Sequence, residues 1–268
     1  MNAIFIAVFS VTSIGIVCAA ILCIASKFMY VKVDERIVQL TDSLPGANCG
    51  ACGYPGCSGY ATALLSDTGV KPNLCTPGGS DALAKISAIL GVEAVGVERK
   101  AAIVHCRGDC DAQQKKMDYR GIQSCAAAKQ LFGGEGACAF GCLGYGDCKV
   151  VCPSKAVCIE NGLARIDPRL CTGCGLCVKA CPNSLISVAS ESIVVSVLCK
   201  NLEKGAVMRK KCSRGCVACS KCVRTCLSAA ITVEDNLARI DYDKCSRCGG
   251  CAAECVTKSI QLVNLKVS

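Results

Sequence analysis

A shift of 74 positions lays nine cysteines of this chain onto nine others. Cys125, Cys138, Cys142, Cys148, Cys152, Cys171, Cys174, Cys177 and Cys181 fall on Cys199, Cys212, Cys216, Cys222, Cys226, Cys245, Cys248, Cys251 and Cys255, and "NGLARID" at 161–167 falls on "DNLARID" at 235–241. Register this long in one uncommon residue type means a module built twice. The chain has 28 Cys in 268 residues but only 5 Phe, 6 Tyr and no Trp. Crosslinks must therefore stand in for part of an apolar core.

Whether the crosslinks are disulfides or metal depends on the compartment. No charged residue occurs from Ala3 to Ser26, a run of 24, long enough for one helical membrane span. A secretory signal would show a basic start, a shorter apolar run and a small-x-small cleavage site. Lys27, Lys32 and Arg36 follow the run and nothing basic precedes it, which predicts a single-pass anchor with the rest of the chain on the cytoplasmic side. Thiols stay reduced there, and dense cysteine patterns favour metal. Cys18 and Cys23 read as small apolar residues of a lipid-facing helix.

"CTGCGLCVKACP" at 171–182 has the C-x2-C-x2-C-x3-C-P spacing that holds a [4Fe-4S] cubane, and its fourth Cys belongs to a second cluster. Zinc sites instead use separated pairs, often with His, and the chain has one His. Each copy adds two apolar segments joined by a turn, "AVCIENGLARID" and "AITVEDNLARID", and Asn161-Gly162 suits a type I′ hairpin. Loop, short helix and strand given twice resemble the bacterial two-cluster ferredoxin fold. Its crossed ligation, carried over by motif, groups Cys216, Cys219, Cys222 with Cys255, Cys245, Cys248, Cys251 with Cys226, and Cys171, Cys174, Cys177 with Cys152. In the first copy Tyr145 replaces the middle ligand. That leaves Cys142, Cys148 and Cys181 with Cys138 as the substitute, or else a three-cysteine cluster or one with an outside ligand.

Upstream, "PGANCGACGYPGCSGYATAL" and Cys75 give C-x2-C-x4-C-x17-C, a further quartet of Cys49, Cys52, Cys57 and Cys75. Anchor, this quartet, "GCLGYGDC" and the double ferredoxin module together resemble, over essentially the whole chain, the B subunits of Rnf complexes, membrane-bound ferredoxin:NAD oxidoreductases that pump Na⁺ or H⁺. The resemblance implies an α+β chain. Its expected parts are a transmembrane anchor at 1–30, a small helical four-cysteine domain at 31–80, a helical connecting segment at 81–130, and two tandem 2[4Fe-4S] ferredoxin-like modules at 131–195 and 196–268. It implies an electron-transfer subunit of an oxidoreductase at the bacterial inner membrane, with soluble ferredoxin as donor, other subunits and lipid as partners, and five [4Fe-4S] clusters. Two alternatives are a membrane-tethered polyferredoxin serving a hydrogenase or formate-oxidising complex and an iron-sulfur redox sensor.

The remaining cysteines leave a sixth cluster open. Cys106 and Cys110 stand at i and i+4 beside His105, Cys125 makes a third, and either Cys138 or Cys212 completes the set. Cys158 reads as packing inside a strand, and His105 as a surface or supporting residue. The formal charge of +9 suggests an anionic partner, but four thiolates on an oxidised cubane leave each site near −2, so five clusters offset about ten charges. The basic stretch "VMRKKCSRGC" at 207–216 then flanks a cluster, and its charge suits an acidic donor. Nucleic-acid binding lacks interleaved aromatics. No Gly-rich dinucleotide or phosphate loop occurs, so the chain passes electrons rather than hydride. Leu83, Ile86, Ile89 and Leu90 predict a helix capped by Ser80, and Ile37, Val38, Leu40 and Leu44 predict another. Gly91 and Gly96 suggest a flexible joint.

Overall fold

The computed structural model describes residues 2–28, 34–93, 96 and 98–265. Helix α1 spans Asn2–Phe28 and leaves Phe5, Phe9, Val11, Ile16 and Leu22 exposed. Over the described residues, however, no helix is long and apolar enough to cross a membrane, so the expected anchor is not met. The side chains of Ala3, Ile4, Ala7 and Ser10 lie outside the described residues, and so does Lys32 of the basic flank.

Three helices follow: α2 (Glu35–Asp42), α3 (Gly56–Ser66) and α4 (Gly79–Leu90). Asp34 caps α2 by accepting the Arg36 amide at 2.9 Å. Leu40, Leu44, Tyr60, Ala61, Leu64 and Ile86 close a small core between them. Val38, expected on that face, is exposed, because the inward stripe of this short helix passes through Ile37, Leu40 and Leu44. Helix α4 starts one residue before Ser80 with Gly78 as its cap, so Ser80 lies inside the helix. Gly91 closes α4, and Ala94, Val95 and Val97 of the expected joint lie outside the described residues.

The rest of the chain is built on two-stranded antiparallel sheets. Segment 81–130 contributes strand β1 (Lys100–Val104) and helix α5 (Cys125–Gln130). Helix α6 (Asp147–Val150), the hairpin β2 (Val157–Glu160) and β3 (Leu163–Ile166), helix α7 (Leu176–Ala180) and strand β4 (Ile186–Ser190) complete the first copy. The second copy runs β5 (Val195–Val197), α8 (Gly205–Lys211), α9 (Lys221–Thr225), β6 (Ile231–Glu234), β7 (Leu237–Ile240), α10 (Gly250–Ala253) and β8 (Ile260–Leu262). In each copy the first strand pairs with the last, β1 with β4 and β5 with β8. Val104 opposite Ile186 and Val197 opposite Ile260 occupy the same place.

Each hairpin turn has both central residues at positive φ, Asn161 at 47° and Gly162 at 72°, Asp235 at 49° and Asn236 at 61°, as a type I′ turn requires. The chain is thus α+β, with one ferredoxin-like layout given twice. His105 stitches the two copies together. Its Nδ1 donates to the Val197 carbonyl at 2.8 Å, which leaves Nε2 to accept from the Ser187 hydroxyl at 2.7 Å. Burial lowers its pKa, and the neutral ring serves as a fixed strut, the supporting one of the two roles expected.

The copies differ where β1 is longer than β5. A Cβ on Gly173 (φ 69°) would stand 2.6 Å from the Lys100 carbonyl oxygen, whereas its counterpart Arg247 lies beyond the end of the shorter strand and is exposed. Gly173→Arg is expected to cost about 1–3 kcal/mol through strain and collision, and to lower the melting midpoint of anaerobic protein by roughly 3–10 °C. Arg247→Gly should stay within about 0.5 kcal/mol.

Candidate iron-sulfur centres

In the four-cysteine domain, Cys49 and Cys52 lie on the loop ahead of α3, Cys57 opens that helix, and Cys75 precedes α4. Asn48 Oδ1 accepts the Cys57 amide at 2.8 Å and holds the loop shut. The Tyr60 hydroxyl donates to the Lys71 carbonyl at 2.7 Å and accepts the Leu74 amide at 3.3 Å, which fixes the approach of Cys75. Burial pushes the Tyr60 hydroxyl up to about 12. It also pushes Cys75 up, and charge on Cys57, Cys52 and Cys49 acts in the same direction, as four converging thiols would.

The fold brings the crossed sets together in the same way. Cys177 is pushed up to about 11 by burial, with Cys171, Cys174 and Cys152 adding to the effect. Cys222 is pushed up to about 11 by burial, with Cys216, Cys219 and Cys255 beside it. Around Cys251, raised by burial, stand Cys245, Cys226 and Cys248. Backbone amides point at the sulfurs: Ala102 at Cys171 (3.4 Å), Ala230 at Cys226 (3.4 Å), Arg247 at Cys245 (3.4 Å) and Ile260 at Cys255 (3.5 Å). Such donors stabilise charge on sulfur and tune the potential of whatever the sulfur binds. Thiolates are the metal-binding form of cysteine, and a bound cationic centre is what stabilises them at buried positions.

The fourth set differs from expectation. A cavity of about 400 Å³ is lined by Cys142, Cys148, Cys181 and Cys125, and Cys138 is not among its walls. Burial pushes Cys148 up to about 12, with Cys142, Cys125 and Cys181 adding to it. Asp147 delivers the substitute: its carboxylate accepts the amides of Cys125 (2.9 Å) and Ala126 (3.0 Å) and the Ser124 hydroxyl (3.0 Å). Burial opposes that charge, but the three donors outweigh it and hold the Asp147 carboxyl below its usual value. Proximity in sequence, which pointed to Cys138, does not decide which thiol lines the pocket. The available signal was Asp147, an acid beside Cys148 whose counterpart in the second copy is Lys221.

Other expectations shift as well. Cys110 is exposed, its amide held by the Asn161 carbonyl at 3.0 Å, and it joins no quartet. Cys158 lies on β2 but faces solvent near Glu160 (3.5 Å), where its counterpart Thr232 makes the same contact with Glu234 (3.1 Å). In the basic stretch Lys211 pairs with Glu203 and Arg214 with Asp109, while Arg209 and Lys210 remain exposed. A single tetrahedral ion would draw its sulfurs to about 2.3 Å from one point, and among the described residues no three Cys, His, Asp or Glu side chains converge on an ion in that way. Pockets lined by four thiols, with backbone amides aimed at sulfur, suit the wider cubane.

Two family models match the chain: FeS, an Fe-S cluster family, over residues 44–77, and Fer4, a 4Fe-4S binding domain, over residues 164–187. The B subunit of the Na(+)-translocating ferredoxin:NAD(+) oxidoreductase complex of Acetobacterium woodii is 43% identical over 256 residues, covering 95% of this chain and 77% of the relative. The B subunit of the proton-translocating ferredoxin:NAD(+) oxidoreductase complex of Clostridium ljungdahlii is 38% identical over 98% of this chain and 94% of its own. The B subunit of the ion-translocating oxidoreductase complex of Methanosarcina acetivorans is 36% identical over 93% of this chain and 94% of its own.

Cys125→Ser is expected to perturb one centre alone, with loss of up to about four irons per chain. Adding Tyr145→Cys, which recreates the second copy's spacing, should restore them. Iron and acid-labile sulfide assays on anaerobic protein read both outcomes.

Proposed function

Because the chain belongs to the family of B subunits of ion-translocating ferredoxin:NAD oxidoreductase complexes, we propose that it carries single electrons within such a complex, from reduced ferredoxin toward partners at the membrane. When bound, [4Fe-4S] clusters supply the one-electron carriers; the chain's own residues hold them, keep water away and set the local charge. We assign five quartets to them: Cys49, Cys52, Cys57, Cys75; Cys125, Cys142, Cys148, Cys181; Cys152, Cys171, Cys174, Cys177; Cys216, Cys219, Cys222, Cys255; and Cys226, Cys245, Cys248, Cys251.

The observation that carries this reading is the Lys179 ammonium, which donates to the Cys49 carbonyl at 3.1 Å. That bond holds the four-cysteine domain against α7, so the membrane-proximal quartet and the first ferredoxin-like module form one path. The single-pass anchor belongs to the same reading and rests on the uncharged run 3–26 with its exposed apolar side chains. Inner-membrane attachment, cytoplasmic placement of the cysteine domains and contact with further subunits follow from it. No observation favours the polyferredoxin or sensor alternatives.

Mixed anaerobically with a reduced, acidic two-cluster ferredoxin, the full chain is expected to take up several electrons and develop the paramagnetic signals of reduced cubanes. A chain that stays oxidised in that mixture sinks the proposal. Arg209→Glu with Lys210→Glu should slow the reaction about tenfold at low ionic strength, the difference fading as salt is raised. Deleting residues 2–28 should move the chain from the membrane to the soluble fraction; recovery of the intact chain in a high-salt wash would count against the anchor.

A further inference from the structure

Four cysteines stand outside the five quartets yet face one another. Cys106, Cys138, Cys199 and Cys212 line one partly open pocket of about 290 Å³ between the two ferredoxin-like copies. The cavity lined by Cys216, Cys219, Cys222 and Cys255 measures about 330 Å³, and that lined by Cys125, Cys142, Cys148 and Cys181 about 400 Å³. The unassigned cavity thus matches two quartet cavities in thiol number and in scale. Cys138, Cys199 and Cys212 are buried.

Its sulfurs are supplied with donors as the others are. The amides of Gly108 and Cys142 point at Cys106 Sγ, both at 3.4 Å. The Cys216 amide points at Cys199 Sγ at 3.4 Å. Asn201, itself 1% exposed, aims its side-chain amide at Cys138 Sγ at 3.2 Å. Donors collected around buried sulfur are repaid most when the sulfur carries negative charge. Arg107, Lys200 and Arg214 line the same cavity, and the Arg214–Asp109 ion pair, together with the Ser213 amide on the Ala112 carbonyl (2.9 Å), closes the seam around Cys212.

The duplication explains why four thiols are free to meet here. Cys199 and Cys212 are the counterparts of Cys125 and Cys138. In the second copy Cys219 fills the middle ligand position, so Cys199 is not needed there and turns to the seam. In the first copy Tyr145 stands at that position, Cys125 is recruited instead, and Cys138 alone is left over. Cys106, on the segment that follows β1, makes the fourth.

We propose that Cys106, Cys138, Cys199 and Cys212 hold a sixth [4Fe-4S] cluster, and that it is the relay between the two modules. The placement supports the relay role. The residue whose amide bonds Cys106 is Cys142, a member of the first module's quartet, and the residue whose amide bonds Cys199 is Cys216, a member of the second module's. One peptide unit on either side thus joins the seam to a neighbouring centre.

This inference rests on the cubane reading of the other five quartets, and the test separates the two. Iron and sulfide per chain in anaerobically prepared wild type should be about 24 each, at four irons per cluster. Cys138→Ser and Cys199→Ser should each give about 20, while Cys110→Ser and Cys158→Ser remain at about 24. Both seam variants should also slow electron passage from the second module to the first by at least tenfold in stopped-flow reduction by ferredoxin. A wild type at about 20 irons, unchanged by Cys138→Ser, overturns the sixth site and leaves the five standing. A zinc-rich, iron-poor wild type overturns the whole reading. Should the variants fail to fold, the wild-type count alone still decides.

Discussion

Bonds between cysteine sulfur and iron are what this fold leans on in place of a large apolar interior. Among the described residues, four of the five apolar clusters contain buried cysteines, and the two in the ferredoxin-like copies draw most of their other members from strands of three to five residues. Two-stranded sheets are marginal by themselves. Thiolates tied to one inorganic core close the loops between them, and metal binding then contributes folding free energy directly. Without iron, burial pushes the same thiols upward and leaves protonated, weakly polar groups where the crosslinks belong.

Electrostatics follow from that constraint. A formal charge of +9 looks like an excess only while every thiol is counted neutral. Several basic groups face inward or across seams: Arg214 meets buried Asp109, Lys211 meets Glu203, and Arg107 donates to the Lys258 carbonyl at 2.8 Å. Exposed pairs such as Arg165–Glu160 and Lys221–Glu254 add little stability, because solvent screens them. The basic side chains near cysteines favour additional negative charge at the centres they flank, while Arg209 and Lys210 stay exposed.

Duplication followed by divergence gives the molecule its asymmetry. The second copy keeps the full ferredoxin spacing. In the first, Tyr145 stands at the middle ligand position, Asp147 holds Cys125 beside the pocket, Gly173 makes room for a longer β1, and the extra residues between β1 and Cys125 reach the seam. Each difference compensates another, which is why they occur in one copy only. By its sequence neighbours His105 looks peripheral, but it bonds both copies, because the residue after β1 emerges where β4 and β5 come side by side.

The sequence pattern determined the hairpins with their type I′ turns and the α+β class, since alternation leaves one way to pair a short strand, while the crossed quartets rest on the ferredoxin spacing carried over by resemblance. The partners of Cys125, Cys138, Cys199 and Cys212 were decided only in three dimensions. These residues lie 13 to 106 positions from the sulfurs they face, and over such separations no local period constrains the approach. The packing of β1 against β4, the Asp147 carboxylate and the seam between the copies brought them together.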